Sequence, residues 1–250
     1  MRNIWITNIE EQVYFSSRTV ITNMTFFEFE FFRMVFSMTF SIVAVDLEAG
    51  TLGVAVVSGS IAVGTRVPWV KEGVGAIATQ AYTNTMYGSE GIKLLEQGYS
   101  PEEALSILIS RDPDYEMRQV AIIDIKNRKA VYTGKFCPYW NGHIVGKNYI
   151  IIGNLIVGEK VLKSMEEVFL SSQGNLALKL LSALIAGEKA GGDRRGDRSA
   201  AIVVRGALNI SERIDDDKKP AEKLYEVCRK RYSIAFTEKQ NIPDGPQGYR

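Results

Sequence analysis

One histidine, His143, and two cysteines, Cys137 and Cys228, stand in a chain of 250 residues. That scarcity excludes a His-cluster metal centre, a Cys-rich zinc site and a disulfide framework. It leaves a single imidazole for any triad, so the base of an enzyme built on this chain is expected to be something other than histidine. An excess of one charge is missing too. Thirty Lys and Arg face 29 Asp and Glu, a net charge of +1, which removes the broad electrostatic case for nucleic-acid or membrane binding. There is no Walker loop, dinucleotide fingerprint, metal-ligand pair or nucleophile elbow. Accordingly no cofactor and no metal is expected.

Other absences are local. No Gly precedes Gly50, the first Ala is Ala44, the first Pro is Pro68 and the first Lys is Lys71, whereas eight of the 11 Phe fall within positions 1–40. Residues 1–37 therefore read as an extension distinct from the rest of the chain. Glu10 and Glu11 come too early for a signal peptide, and Glu28, Glu30 and Arg33 interrupt the Phe-rich stretch well short of the roughly 18 apolar residues of a membrane span. Three readings stay open: an extension packed on the domain, a removable segment, or translated upstream sequence with the working start at Met34 or Met38. Nothing directs export, so a cytoplasmic location is expected.

From Thr39 the pattern is regular. Apolar runs at 39–46 and 52–57, then 63–70 and 74–82, read as two strand pairs buried on both faces. Helices are expected from about 84 to 97, and after Ser100-Pro101-Glu102-Glu103, where an N-cap, a Pro at N1 and a Glu at N3 form a capping box. Strands return at 118–124, 129–133, 144–145 and 149–153. Helices at 159–171 and 176–189, a charged turn at 191–198, a strand at 199–205 and a helix at 220–231 complete a single domain over 38–236. Residues 237–250 read as a polar tail. Strands and helices in segregated blocks argue for an α+β fold.

The chemistry centres on Met38-Thr39. Loss of Met38 leaves Thr39 with a free α-amine, which titrates near 7.7–8.0. That amine can act as general base, directly or through one water, for attack by the hydroxyl on an amide carbonyl. No histidine is needed. The other reading of Thr39 is a β-branched residue opening a strand.

The blocks Thr39–Ala44, Ala62-Val63-Gly64 to Val67-Pro68-Trp69, Gly73-Val74-Gly75-Ala76 with Ala78-Thr79-Gln80-Ala81, and Tyr87-Gly88 resemble a family of proteins, the domain-of-unknown-function family 1028. Later blocks agree: Arg118-Gln119, Thr133-Gly134, Cys137 with Trp140, Gly142-His143, Gly153-Asn154, and Gly191–Gly196 with Ser199-Ala200-Ala201. That family is similar to the N-terminal nucleophile (Ntn) hydrolases. The resemblance implies a four-layer α-β-β-α sandwich with Thr39 opening the first strand, and an amide hydrolysis passing through an ester on Thr39. The chain departs from the family pattern at Gly59, where a larger polar or basic residue is common, at Asp197, and in a short stretch 206–213.

Around Thr39 the candidate substrate-binding residues are Gln80 and Asn84, as oxyanion or amide donors, and Asp193, Arg194 and Arg195, which can orient an amine or fork a carboxylate. Plainer readings stand beside these: Asn84 as a helix cap and the 193–195 turn as a self-neutralising loop; Tyr87, a candidate to line a pocket, reads also as a packing aromatic. Cys137 reads as a buried small hydrophobe and His143 as a structural or rim residue; only in the absence of the Thr39 route would they be the next nucleophile–base pair to test. The expected function is hydrolysis of an amide in a small or peptide-like substrate. The alternative is a non-catalytic module binding a cell-wall fragment, sugar or peptide. No nucleic-acid or membrane partner is expected, and a homodimer is compatible with the sequence.

Overall fold

Period-two alternation decides which way each strand faces. In β1 (Thr39–Asp46) the side chains of Phe40, Ile42 and Ala44 join one apolar cluster and those of Val43 and Val45 join another. Both faces are buried, and this is why the run is apolar without a break. The same division holds for β2 (Thr51–Ser58), β8 (Tyr149–Asn154) and β9 (Ser199–Arg205). With β7 (Asn141–Val145) and β10 (Ile210–Ile214) they form a six-stranded antiparallel sheet in the order β10-β9-β2-β1-β8-β7. A second antiparallel sheet has the order β3-β4-β5-β6, from Pro68–Lys71, Gly75–Ala81, Arg118–Asp124 and Lys129–Thr133. These elements come from a computed structural model that describes residues 39–232.

Five α-helices complete the described residues. Helices α1 (Met86–Glu96) and α2 (Pro101–Ser110) bury Tyr87, Leu94, Leu95, Ala104, Leu105 and Leu108 against Ile77, Val120 and Ile122 of the four-stranded sheet. Helices α3 (Glu159–Ser171), α4 (Leu176–Lys189) and α5 (Pro220–Arg231) cover the six-stranded sheet. The third cluster lies between the sheets, where Val43, Val54 and Ile152 meet Ala78, Ala121 and Ile123. The chain is thus a mixed α+β fold with two antiparallel sheets.

Local signals place the helix ends. The Ser100 hydroxyl accepts from the Glu103 amide at 3.2 Å while the Glu103 carboxylate accepts from the Ser100 amide at 2.7 Å, completing the expected capping box. Asn175 caps α4 by accepting from the Leu178 amide at 3.0 Å. Gly98, at φ +94°, ends the helical region after α1 in a conformation that glycine adopts without penalty.

Two expectations need correction. The strand expected over 63–70 is a short 3-10 turn at Val63–Thr65 followed by a strand only from Pro68. Ala62 enters it left-handed at φ 53°, and the Val63 amide is taken by the Ser199 hydroxyl, so that stretch makes no ladder. Conversely, Ile210–Ile214 is a strand in a stretch for which no strand is expected. On this edge strand Ser211 and Arg213 take the exposed beat while Glu212 shares the covered beat with Ile210 and Ile214 and pairs with Arg231, so the pattern carries little apolar signal. The extension 1–37 and the tail 237–250 lie outside the described residues. Among those described, no helix is long and apolar enough to cross a membrane.

Replacing Ile151, fully buried between β1 and the covering helices, tests the packing. Ile151→Ala is expected to cost about 2–5 kcal/mol, seen in urea unfolding as a lower midpoint with an unchanged slope.

Candidate functional site

At one end of the six-stranded sheet the register aligns five polar residues. Ser199 opposes Ser58, Ser58 opposes Thr39, Thr39 opposes Asn154, and Asn154 opposes Asn141. Cross-strand partners share a face, so these side chains form one row. The face is the inner one, since Val43 and Val45 of β1 reach the inter-sheet cluster. The facing sheet carries a matching row, in which Gln80 opposes Gln119 and Gln119 opposes Thr133. Thr39, Ser58, Gln80, Gln119, Asn154 and Ser199 are all fully buried.

Gln119 ties the rows together. Its Nε2 lies 3.0 Å from the Gly153 carbonyl and 3.1 Å from both the Gly142 carbonyl and the Thr133 hydroxyl. Its Oε1 accepts from Gln80 Nε2 at 2.8 Å and from Asn154 Nδ2 at 3.1 Å. Gln80 Nε2 also donates to the Thr39 carbonyl at 3.1 Å, and Gln80 Oε1 accepts from the Ser41 hydroxyl at 2.5 Å. In this mesh of amides and hydroxyls, Asn154 Oδ1 is buried without a hydrogen-bond partner. An orphaned group of this kind costs about 1–3 kcal/mol.

Thr39 Oγ1 donates to Ser58 Oγ at 3.2 Å, and Ser58 shares a 2.9 Å hydrogen bond with Ser60, to which Arg66 also donates. The next residue after Ser58 binds the charged turn: the Gly59 amide donates to Asp193 Oδ2 at 2.7 Å. Asp193 Oδ1 accepts from the Arg195 amide at 2.8 Å, with the Arg195 guanidinium 3.4 Å away. Burial pushes the Asp193 carboxyl above its ordinary value, outweighing Arg195 and the amide donors. A Cβ at position 59 would run into that carboxylate, so glycine there is a steric requirement of this arrangement.

The model of the family of unknown function DUF1028 matches residues 39–224. The chain belongs to DUF1028. The match starts on Thr39, in the middle of the buried polar row, and runs beyond the blocks recognised in the sequence to take in β10 and the start of α5. Nineteen chains of solved structure match. One is a DUF1028 protein from Silicibacter pomeroyi, 32% identical, with a TM-score of 0.72 over 79% of this chain and 93% of that one. No curated protein matches.

Within this DUF1028 domain the residues singled out from sequence separate into groups. Thr39 and Gln80 meet directly. Both amide hydrogens of Gln80 are engaged, so it holds Thr39 in place and has none left for an oxyanion. Asp193 and Arg195 adjoin the hydroxyl row through Gly59, while Arg194 is exposed. Asn84 belongs to another cluster. Its Oδ1 accepts from the Met86 amide at 3.0 Å at the start of α1, and its Nδ2 lies 3.5 Å from Asp112. Asp112 is forked by Arg118 at 2.8 and 3.1 Å. Burial raises the Asp112 carboxyl, but the Arg118 fork, the Asp114 amide and the Tyr87 hydroxyl together outweigh it and leave the group below its ordinary range.

Cys137 and His143 do not pair. The thiol donates to the Arg118 carbonyl at 3.1 Å and burial pushes it up to about 12, whereas His143 Nδ1 lies 3.3 Å from the Thr133 hydroxyl. Among the described residues no cluster of His, Cys, Asp and Glu could hold a metal ion. Sequence reasoning passed over Gln119, Asn154, Ser58 and Ser199 as site residues. The available signal was a polar residue on the inward beat of an apolar strand, as in Arg118-Gln119-Val120-Ala121.

Gly59→Ala is expected to displace Asp193 and lower stability by about 1–3 kcal/mol, the cost of a buried carboxylate losing a donor, measured by chemical denaturation. The same turn gives a pH dependence. Burial first, then Glu188 and Asp193, push the Asp197 carboxyl up to about 7. An aspartate raised in this way contributes stability below about pH 4, the unfolded value, that is lost as pH rises through about 7. Asp197→Asn keeps an acceptor for the Asp193 amide, which donates to Asp197 Oδ1 at 2.9 Å. The variant is therefore expected to gain stability relative to the wild type between about pH 4 and 8, followed as the difference in thermal midpoints.

Proposed function

We propose that this chain is an amidohydrolase of the N-terminal nucleophile type, cleaving an amide bond in a small or peptide-like substrate with Thr39 as nucleophile and base. The observation that carries the reading is the position of Thr39. It opens β1, fully buried, with its hydroxyl on Ser58 and its carbonyl held by Gln80. Helices α1 and α2 outside one sheet, and α3, α4 and α5 outside the other, support a four-layer α-β-β-α sandwich of the Ntn type. The start of the family match at this residue supports the same reading.

The steps follow from the groups present. A free Thr39 amine, neutral in part near pH 8, takes the hydroxyl proton directly or through one water as Oγ1 attacks the amide carbon. Burial disfavours the ammonium form and so favours the base. Collapse of the tetrahedral adduct expels the amine leaving group, which takes up the proton, and leaves an ester on Thr39. Water, activated by the same amine, then hydrolyses the ester. Gln80 fixes the backbone of the nucleophile, and Ser58 fixes its hydroxyl before substrate arrives.

A ligand-binding module without chemistry is the second reading. It is favoured by the carboxylate of Asp193, which occupies the space over Gly59 where a cation would assist the nucleophile. Intact mass and N-terminal sequencing of the purified protein separate the two. A chain beginning at Thr39, whose turnover is abolished by Thr39→Ala, is the expected result. A chain that retains residues 1–38 contradicts the enzyme reading, because an acylated nitrogen is no base.

A further inference from the structure

We infer that Asn154 Oδ1 accepts a hydrogen bond from an N–H that the ligand carries next to the carbonyl attacked by Thr39, so that the ligand is an acylamino compound. This rests on the nucleophile assigned above and adds a selecting residue and a substrate class.

The orientation of Asn154 is determined by its neighbours. Gln119 Nε2 faces two backbone carbonyls, Gly142 and Gly153, which can only accept. The Gln119 amide therefore cannot be turned round, and its Oε1 must face Gln80 and Asn154. Asn154 in turn must offer that oxygen its nitrogen, at 3.1 Å. What remains is Oδ1, buried, without a partner and directed elsewhere.

Its place in the sheet puts it beside the reacting group. Asn154 is the register partner of Thr39 on β8, while Ser58 is the partner on β2. The Thr39 side chain thus lies between a hydroxyl that already engages it and the neighbour bearing the unpaired acceptor. A carboxylate, phosphate or sulfonate would set oxygen against oxygen there. An N–H donor supplies the missing hydrogen bond, and a site built to bind such a donor disfavours an analogue that lacks it.

The test uses two electrophiles on the purified protein, a 3-acetamido-β-lactone and its N-methyl counterpart. In each, Thr39 Oγ1 bonds to the lactone carbonyl carbon, the ring C–O bond breaks, and the proton from Oγ1 ends on the released oxygen. The adduct therefore adds the whole lactone mass, and peptide mapping locates it. The N–H lactone is expected to acylate Thr39 at least about tenfold faster than its N-methyl form. Asn154→Leu, of similar shape but without an acceptor, should bring the ratio to within about twofold. Asn154→Asp retains an oxygen there and should keep the preference. Equal rates in the wild type, as would result if the Thr39 amine itself occupied Oδ1, overturn the inference and leave the nucleophile standing. So does a ratio that Asn154→Leu leaves unchanged. Labelling of Thr39 by neither lactone overturns both.

Discussion

The amide of Gln119 has one permitted orientation, and the site depends on it. Two strand carbonyls claim its nitrogen, so its oxygen must face the interior, where it receives Gln80 from its own sheet and Asn154 from the other. Through those bonds the two sheets are held in register at one end by hydrogen bonding, while the rest of the layer between them is aliphatic. Buried networks of this kind are costly when incomplete and specific when complete. The single incomplete point, Asn154 Oδ1, adjoins the residue proposed to do chemistry.

Charge is kept out of the two rows. The rows themselves are hydroxyls and carboxamides, and the ion pairs stand beside them: Asp193 with Arg195 at the end of β2, and Asp112 with Arg118 behind the second sheet. The chain also turns left-handed as it leaves the rows, at Ala81 (φ 67°) after Gln80 and at Leu155 (φ 56°) after Asn154. Residues other than glycine seldom adopt that conformation, and the surrounding structure must hold them there. The backbone at both exits is therefore specified as tightly as the side chains it delivers.

Much of this was legible in the sequence, for identifiable reasons. The capping box at Ser100, the apolar faces of α3 and α4, and the near-continuous apolar strands announce themselves through spacing. Thr39 was legible because Met-Thr at a strand start has a chemical meaning, and Gln80 because it interrupts an apolar strand beside a turn. Gln119, Asn154, Ser58 and Ser199 were not. Each is one polar residue at or near a strand end, and only the pairing register lines them up across the strands. Strand β10 was hidden because Ser211, Glu212 and Arg213 fill its centre and leave only Ile210 and Ile214, which make no apolar run. The glycine at 59, a departure from the family pattern when read as sequence, has a physical cause in the Asp193 carboxylate that fills its space.

The site depends on the carboxamides of Gln80, Gln119 and Asn154 forming one hydrogen-bonded network. Hydrogen exchange of their side-chain NH2 groups, followed by NMR in the intact protein, measures this directly. Protection of all three, comparable to that of the backbone amides in β1 and β5, is the expected result, with Gln119→Leu releasing Gln80 and Asn154 together. Exchange of these groups as fast as that of exposed side-chain amides would contradict the account.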